Sequence, residues 1–302
     1  DDTSVTWSSS DTAVATVSDS GLVKAVAPGT ATITVKTNSG SKIATCIIRV
    51  ADPTIASMSN QTMFVGDNKS LDLPAVTPSS TWPLDFGCSS SDSSVVKASL
   101  VSSFGNAKIQ LEALKAGTAT VTVSYTAGGK KVSTSFSVTV NTPKVTLSQS
   151  SIAFTWDCGG SAALYTINNL PSWRTKLPTA TSNTGYSVYW KVQSGTAFIS
   201  GSYIYVTNPG QKVVARAYFS YNGVEYYADC TITLTLVKTT SASNYLRKGP
   251  GTGYNYYTSV PKGQVVTITE VYYDYSSRNS SGTHWVWGKV TYGGYTGWII
   301  IY

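Results

Sequence analysis

The sequence predicts an all-β protein with several domains. Of its 302 residues, 84 are Ser or Thr and only 37 are charged, while Leu, Met, Glu and Gln together number 25. β-branched and aromatic residues alternate with Ser and Thr over almost the whole length, a composition that favours strands over helices. A chain of this length is expected to form several cores rather than one.

Composition and charge exclude some classes of function. No apolar run approaches the roughly 18 to 20 residues that a membrane helix needs, so no membrane-spanning segment is expected. The net charge is +7, and residues 238–302 carry six basic and two acidic groups. Because Lys and Arg form no stripe, we do not expect nucleic acid as a partner. With His284 as the one histidine, a catalytic triad or a multi-histidine metal site is not expected either.

One supersecondary unit is repeated along the chain. Residues 5–50 and 86–140 share SSSD, then an apolar strand, then APGTATITV or LKAGTATVTV, a turn with glycine and a last alternating strand. A weaker third copy covers residues 188–236. Ala31, Ile33 and Val35 alternate with threonines, which predicts a strand with one buried face. The glycines before these strands are predicted to form entry turns with positive φ: Gly29, Gly117 and Gly210.

These motifs resemble the group 2 bacterial immunoglobulin-like domains. The resemblance implies small two-sheet sandwiches that serve as spacer or adhesive modules, over residues 1–51 (truncated), 52–141 and 142–237 (divergent). Only six residues precede Trp7, against about 36 before its counterpart Cys88 within the second copy. The first copy therefore lacks two strands, and we expect upstream residues, the neighbouring domain or another chain to cover the apolar face left open.

The burial and pairing of the four cysteines are predicted from the alternation of side chains along the strands. Cys46 shares a face with Ile48 and Val50 and is expected in a core, as is Cys88 at the place of a core tryptophan. Cys158 and Cys230 belong to one domain, and an early strand of such a sandwich can run beside the last one. We therefore predict a disulfide between Cys158 and Cys230, closing a 72-residue interval. Four cysteines in a Ser/Thr-rich, Lys-poor β-protein suit an extracellular location, either secreted or cell-wall associated.

The segment after Lys238 has a different character. Of the 65 residues 238–302, 13 are aromatic. The turn signals GPGTG, PKG and YGG separate short alternating stretches, as in a small barrel. NYLRKGPGTGY and WGKVTYGGYTGW resemble the two motifs of the bacterial Src-homology-3-like domains of type 3, over residues 238–302. The resemblance implies non-catalytic binding of peptidoglycan or its peptide stems. Departures from the pattern are Tyr245, where asparagine is common, and the insertion YYDYSSRNSSGTH.

The density of rings in this segment exceeds what a 65-residue core can bury, so some are expected to contact a ligand. Trp285, Trp287 and Lys289 alternate with Val286 and Val290, which predicts one core face and one available face. For Arg247 the sequence leaves two roles open: it brackets the turn through backbone carbonyls, or it contacts the ligand. The candidate ligand-binding residues are Arg247, Tyr254, Tyr256, Tyr257, Tyr272, Tyr273, Tyr275, Trp285 and Trp287.

Three hypotheses follow for the whole chain. The first is a non-catalytic surface or secreted bacterial protein whose immunoglobulin-like modules present a cell-wall-binding domain, without cofactor or metal. The second is the targeting region of a larger wall hydrolase with its catalytic domain upstream. The third is an adhesin directed at a host glycan or protein. Catalysis within this chain is not expected, because residues 142–302 hold only five carboxylates and no suitable pair among them.

Overall fold

The fold was obtained as a computed structural model that describes residues 4–39, 41–79, 85–103, 106–159, 165–167, 170–278, 282 and 284–301. Within these ranges the regular structure is β-sheet and there is no α-helix, as the composition predicts. None of the described residues therefore forms a helix that is long and apolar enough to span a membrane. The chain divides into two compact units, Asp1–Thr142 and Pro143–Tyr302.

The first module of the N-terminal unit has one three-stranded sheet, β1-β4-β5, and one hairpin, β2-β3. Its strands are β1 (Val5–Ser9), β2 (Ala15–Val17), β3 (Val23–Ala25), β4 (Gly29–Thr37) and β5 (Ile43–Val50). Ala31 and Ile33 of β4 are buried, and Ala31 packs in one core with Val14 and Ala15. The alternation in TATITV therefore gives one buried face, as predicted.

The second module is a complete sandwich. Its sheets have the orders β10-β13-β14-β7 and β11-β12-β8, and β6 pairs with β9 at one end. The strands are β6 (Thr54–Ile55), β7 (Gln61–Phe64), β8 (Asn68–Asp72), β9 (Val76–Thr77), β10 (Phe86–Ser90), β11 (Val96–Ser103), β12 (Asn106–Ala113), β13 (Gly117–Ala127) and β14 (Lys130–Asn141). The early strand β7 runs parallel to the last strand β14 and forms the edge of that sheet.

The shared SSSD motif makes the same contacts in both modules. The Ser10 hydroxyl accepts the Thr32 N–H at 2.8 Å, and the Ser91 hydroxyl accepts the Thr120 N–H at 2.9 Å. The predicted entry glycines have positive φ, at 152° for Gly29, 154° for Gly117 and 73° for Gly210. The repeat seen in the sequence is thus a repeat of backbone geometry.

The first module differs from the second at the outer edge of its last strand. Among the described residues, nothing pairs with β5 on the side where β14 pairs with β7. Cys46 is exposed, whereas Phe136 at the equivalent place in β14 is 2% exposed. The prediction that Cys46 is a core residue is therefore wrong, because a core position needs the covering strand as well as the alternation. Coverage of this face by another segment or chain stays a prediction.

The C-terminal unit contains the third module. Its main sheets have the orders β16-β24-β23-β20 and β17-β18-β22-β21, and β15 pairs with β19. The strands are β15 (Val145–Leu147), β16 (Ser151–Asp157), β17 (Tyr165–Ile167), β18 (Leu170–Lys176), β19 (Ala180–Ser182), β20 (Tyr189–Ser194), β21 (Ala197–Ser200), β22 (Tyr203–Val206), β23 (Lys212–Tyr221) and β24 (Val224–Thr239). Here too the early strand β16 runs parallel to the last strand β24.

The last six strands form the C-terminal barrel around a sheet of order β26-β25-β30-β29-β28. They are β25 (Asn244–Arg247), β26 (Tyr256–Val260), β27 (Val265–Ile268), β28 (Glu270–Arg278), β29 (His284–Tyr292) and β30 (Tyr295–Ile300). β27 pairs with the end of β24, from Leu236 opposite Ile268 to Thr239 opposite Val265. One buried cluster contains residues of both the third module and the barrel. The expected domain boundary at 237/238 thus lies inside β24, a strand that both domains use.

The predicted disulfide between Cys158 and Cys230 does not form. Both cysteines are buried free thiols. The parallel register places Ser151 opposite Thr231 and Asp157 opposite Val237, so Cys158 lies near the level of Lys238. That level is eight residues beyond Cys230, or about 26 Å at roughly 3.3 Å per residue, whereas a disulfide needs Cα atoms within about 7 Å. The prediction placed the two strands side by side correctly and their register wrongly.

Candidate functional site: the aromatic face of the barrel

The turn that follows β25 is held by Arg247. Its Nη1 donates to the backbone carbonyl oxygens of Thr252 and Tyr254, both at 2.9 Å. The Tyr254 ring packs against Gly249 so closely that a Cβ there would lie 2.6 Å from the ring. Of the two roles that the sequence left open for Arg247, the structure shows bracketing of the turn. The GPG motif therefore forms a turn, and it needs glycine at position 249 because a side chain there would collide with the Tyr254 ring.

A row of side chains crosses all five strands of the barrel sheet on one face. Residues in register on adjacent strands point to the same side of a sheet, so cross-strand partners form continuous rows. Following the register from β28 to β26, the row consists of Glu270, Lys289, Trp298, Arg247 and Tyr256. Strand pairing thus brings together residues that lie 9 to 51 positions apart in the chain.

Three exposed tyrosines belong to this row or lie beside it. Tyr245 and Tyr256 have ring centroids 4.6 Å apart, and Tyr272 meets Trp298 edge to face at 6.3 Å. The exposed fractions are 53% for Tyr245, 56% for Tyr256 and 46% for Tyr272, against 9% for Trp298. Trp298 is therefore the floor of the surface and the tyrosines are its accessible part. We call this surface the aromatic face; it comprises Tyr245, Arg247, Tyr256, Tyr272, Lys289 and Trp298.

The charged groups of the aromatic face are positioned by ring and ion-pair contacts. Lys289 Nζ lies 2.9 Å from a carboxylate oxygen of Glu270 and 5.6 Å from the centroid of the Trp298 ring. The Arg247 guanidinium carbon lies 5.5 Å from the centroid of the Tyr245 ring. The Lys289–Glu270 pair is exposed and adds little to stability, but it fixes the cation over the ring. The face thus offers flat apolar rings together with hydrogen-bond donors.

The other candidate rings form separate groups. Tyr257 stacks on Tyr295 with centroids 5.1 Å apart, and Lys248 Nζ lies 5.3 Å from the centroid of Tyr257. Tyr273 packs against the buried core and contacts Tyr275, at 4.5 Å between centroids. Tyr275 in turn lies 5.7 Å from the ring of His284. These rings do not share one surface, so the structure divides the predicted ligand set.

Trp287 is not available to a ligand. The alternation placed it on the accessible face of β29 with Trp285, yet it is completely buried and Trp285 is partly buried. Trp287 is in register with Tyr272 on β28 and Ile300 on β30, which flank it on both sides. Its inclusion among the ligand candidates is therefore a misassignment, because alternation separates two faces without saying how far each is covered.

The ligand candidates predicted from the sequence do not include Tyr245, Lys289, Trp298 or Tyr295. Tyr245 and Arg247 are two residues apart on one short strand, and this spacing was the available signal for Tyr245. Lys289 and Trp298 become neighbours of Arg247 only through strand pairing. Beside the Glu270 end of the row, a groove of about 380 Å³ is lined by residues 208–211 and 269–271. The face therefore ends at a concave surface.

Comparisons with known proteins agree with the motifs. The model of the "Bacterial Ig-like domain (group 2)" matches residues 1–48, and that of the "Bacterial SH3 domain" matches residues 241–300. The comparison with curated protein sequences gives no match.

Solved structures with similarity include domains 4 and 5 of the S-layer protein SbsC, at 19% identity and a TM-score of 0.27 over 46% of this chain and 70% of that one. Domains 4–9 of SbsC give 16% identity and a TM-score of 0.28 over 82% of this chain and 42% of that one. The titin domains Z1Z2 in complex with telethonin give 12% identity and a TM-score of 0.28 over 63% of this chain and 99% of that one. With TM-scores this low, these likenesses carry no argument about function. The family models therefore match an N-terminal group 2 bacterial Ig-like domain at residues 1–48 and a C-terminal bacterial SH3-like domain at residues 241–300.

Proposed function

We propose that this is a non-catalytic bacterial surface or secreted protein whose Ig-like modules present a barrel that binds the cell wall. The observation that supports it most is the aromatic face, where three tyrosines about half exposed share one face of the sheet with Trp298. Exposed tyrosine rings stack on sugar C–H groups or peptide side chains and lose little conformational entropy on binding. Peptidoglycan, which carries both sugars and peptides, is the proposed ligand.

Charge supports an anionic polymer as the target. Residues 238–302 carry six basic and two acidic groups, and one of the two acidic side chains, Asp274, is buried and accepts hydrogen bonds from Ser276. A positively charged surface raises the local concentration of a polyanion and weakens with salt. Binding to the wall is therefore proposed to be of modest affinity and sensitive to ionic strength.

The test is sedimentation of the full chain with purified peptidoglycan sacculi. The double variant Tyr245→Ser, Tyr256→Ser removes the exposed ring pair, and we expect the sedimented fraction to fall about tenfold, from roughly 1.4 kcal/mol of lost stacking. Tyr186→Ser is the matched control, because Tyr186 is 55% exposed and lies in the third module. Equal sedimentation of the double variant and the control contradicts wall binding by the aromatic face.

Two other functions are compatible with the same surface. In a targeting region of a larger hydrolase, the barrel binds wall in the same way and an upstream domain is catalytic. In a host-directed adhesin, the Ig-like modules bind host glycan or protein and the barrel anchors the protein. Parallel sedimentation with sacculi and capture on immobilised host glycans distinguish the adhesin from the two wall-binding functions. The upstream reading frame then distinguishes the surface protein from the targeting region of a hydrolase.

A further inference from the structure

The third module carries a second group of tyrosine rings, two exposed and one partly buried, on the outer face of the sheet β16-β24-β23-β20. Tyr189 of β20 is in register with Tyr218 of β23, which is in register with Tyr227 of β24. Tyr189 is 60% exposed and Tyr227 is 54% exposed. We call these three residues the tyrosine row. The row crosses two strand spacings, which makes it about 10 Å long.

The sandwich fold does not require rings at these positions. The two modules can be aligned on equivalent strand pairs. Val121 pairs with Phe136 in the second module, and Ala215 pairs with Cys230 at the equivalent place in the third. With that correspondence, the positions of the tyrosine row are occupied in the second module by Gly87, Ser124 and Ser133. A complete sandwich thus forms with small residues there, so the tyrosines are an addition to this module rather than a condition of its fold.

Ion pairs from the neighbouring rows of the same face fix the rings in place. Arg216 forms a bidentate ion pair with Asp229, at 2.7 and 2.8 Å, and its guanidinium carbon lies 3.6 Å from the centroid of Tyr227. Lys191 binds Glu225 at 2.8 Å, and its Nζ lies 4.3 Å from the centroid of Tyr218. Rings held in this way lose little conformational freedom when a ligand stacks on them.

The charges next to the tyrosine row balance. Lys191 is paired with Glu225 and Arg216 with Asp229, whereas Lys212 lies farther along β23, opposite Thr233. Hydrogen bonding by Arg216 lowers the pKa of Asp229, so this carboxylate stays ionised and the pair stays neutral over the physiological range. An electroneutral surface does not attract a polyanion, in contrast to the basic barrel. Its charged groups remain able to hydrogen-bond hydroxyl groups at the edge of the rings.

We propose that the tyrosine row is a binding platform for a neutral polysaccharide, separate from the aromatic face of the barrel. Tyr189 and Tyr218 have ring centroids 6.2 Å apart with their planes tilted by 45°, so the row offers ring faces to the C–H groups of consecutive sugars along an extended glycan, over a length of about two sugars. The ion pairs Arg216–Asp229 and Lys191–Glu225 supply donors and acceptors for sugar hydroxyls. The platform is a sheet surface rather than a pocket, so it takes part of a chain and not an enclosed small molecule.

The experiment uses the full chain and three neutral probes: microcrystalline cellulose, chitin beads and soluble mixed-linkage β-glucan. The triple variant Tyr189→Ser, Tyr218→Ser, Tyr227→Ser gives this module small polar residues like those of the second one, and it is therefore expected to fold. Circular dichroism and thermal unfolding check this. We expect the wild type to bind at least one probe and the triple variant to bind it at least tenfold more weakly. Because the platform is electroneutral, binding is expected to be unchanged in about 0.5 M NaCl.

Two controls separate this proposal from wall binding by the barrel. Tyr203→Ser removes a 38% exposed tyrosine from the other sheet of the same module and is expected to leave binding of the probes unchanged. The barrel variant Tyr245→Ser, Tyr256→Ser is expected to keep polysaccharide binding even where sedimentation with sacculi is lost. Failure of the wild type to bind any of the three probes, or equal binding by a folded triple variant, overturns the proposal.

Discussion

The shared strand β24 predicts that the third module and the barrel unfold together. Ile268 of β27 is 2% exposed and pairs with Leu236 at the end of β24. Truncation of such a buried side chain to alanine typically costs about 2 to 5 kcal/mol. If one core stabilises both parts, Ile268→Ala lowers the free energy of unfolding of the whole unit Pro143–Tyr302. In two independent domains, only the barrel would be destabilised.

Hydrogen exchange followed by mass spectrometry measures this directly. A loss of about 3 kcal/mol speeds exchange through global opening by roughly 100-fold, since each 1.4 kcal/mol is a factor of ten. We expect this acceleration both in β30 of the barrel and in β23 of the third module, although Ile268 is far from β23 in sequence. Acceleration confined to residues 240–301 refutes the reasoning.

The matched control for this variant lies in the other unit. Ile109 of β12 is completely buried in the core of the second module. Ile109→Ala is expected to accelerate exchange within residues 52–141 and to leave β23 and β30 unchanged. A general loosening of the chain by core truncation would instead appear in every strand, whichever isoleucine is replaced.

Two further predictions concern single groups. Burial raises the pKa of Asp157, but hydrogen bonds from Thr239 and Gly159 outweigh this effect, and the net pKa is lowered. The stabilisation by the ionised carboxylate is therefore complete above about pH 4 and is lost as the pH falls further. Asp157→Asn should therefore flatten the decline of Tm between about pH 5 and pH 3, and parallel curves for variant and wild type would contradict this. Without reductant, alkylation should label Cys46 in the native protein but Cys158 and Cys230 only after unfolding, because both are buried and burial raises the pKa of Cys158 to about 12. Mass spectrometry counts the labels, and only two labels in denaturant would restore the predicted disulfide.

Local patterns were sufficient for the elements and the repeat. The alternation in TATITV and TATVTV reports directly which side chains face a core, since period 2 is a property of the strand itself. The entry glycines were likewise predictable, because a positive φ at the start of a strand depends on few neighbours. The SSSD turn repeats its hydrogen bonds for the same reason.

Burial was less predictable than alternation. Cys46 and Trp287 both lie on the strand face that their pattern indicated, but one is exposed and the other is buried, each against expectation. Alternation does not report where a strand lies in its sheet: β5 has an open edge in the described structure, whereas β29 is an interior strand between β28 and β30. The candidate site was therefore predicted at the level of the segment, and only three of its nine residues, Arg247, Tyr256 and Tyr272, belong to the aromatic face.

By itself, the sequence determined an all-β chain with repeated sandwich modules and an aromatic-rich barrel, because these depend on composition and short-range alternation. The tertiary structure alone decided the register of β16 on β24, which separates Cys158 from Cys230, and the extension of β24 into the barrel. It also decided which tyrosines share a surface. The physical reason is that register and strand order arise from pairing between residues tens of positions apart, and a single sequence carries no local signal for that choice.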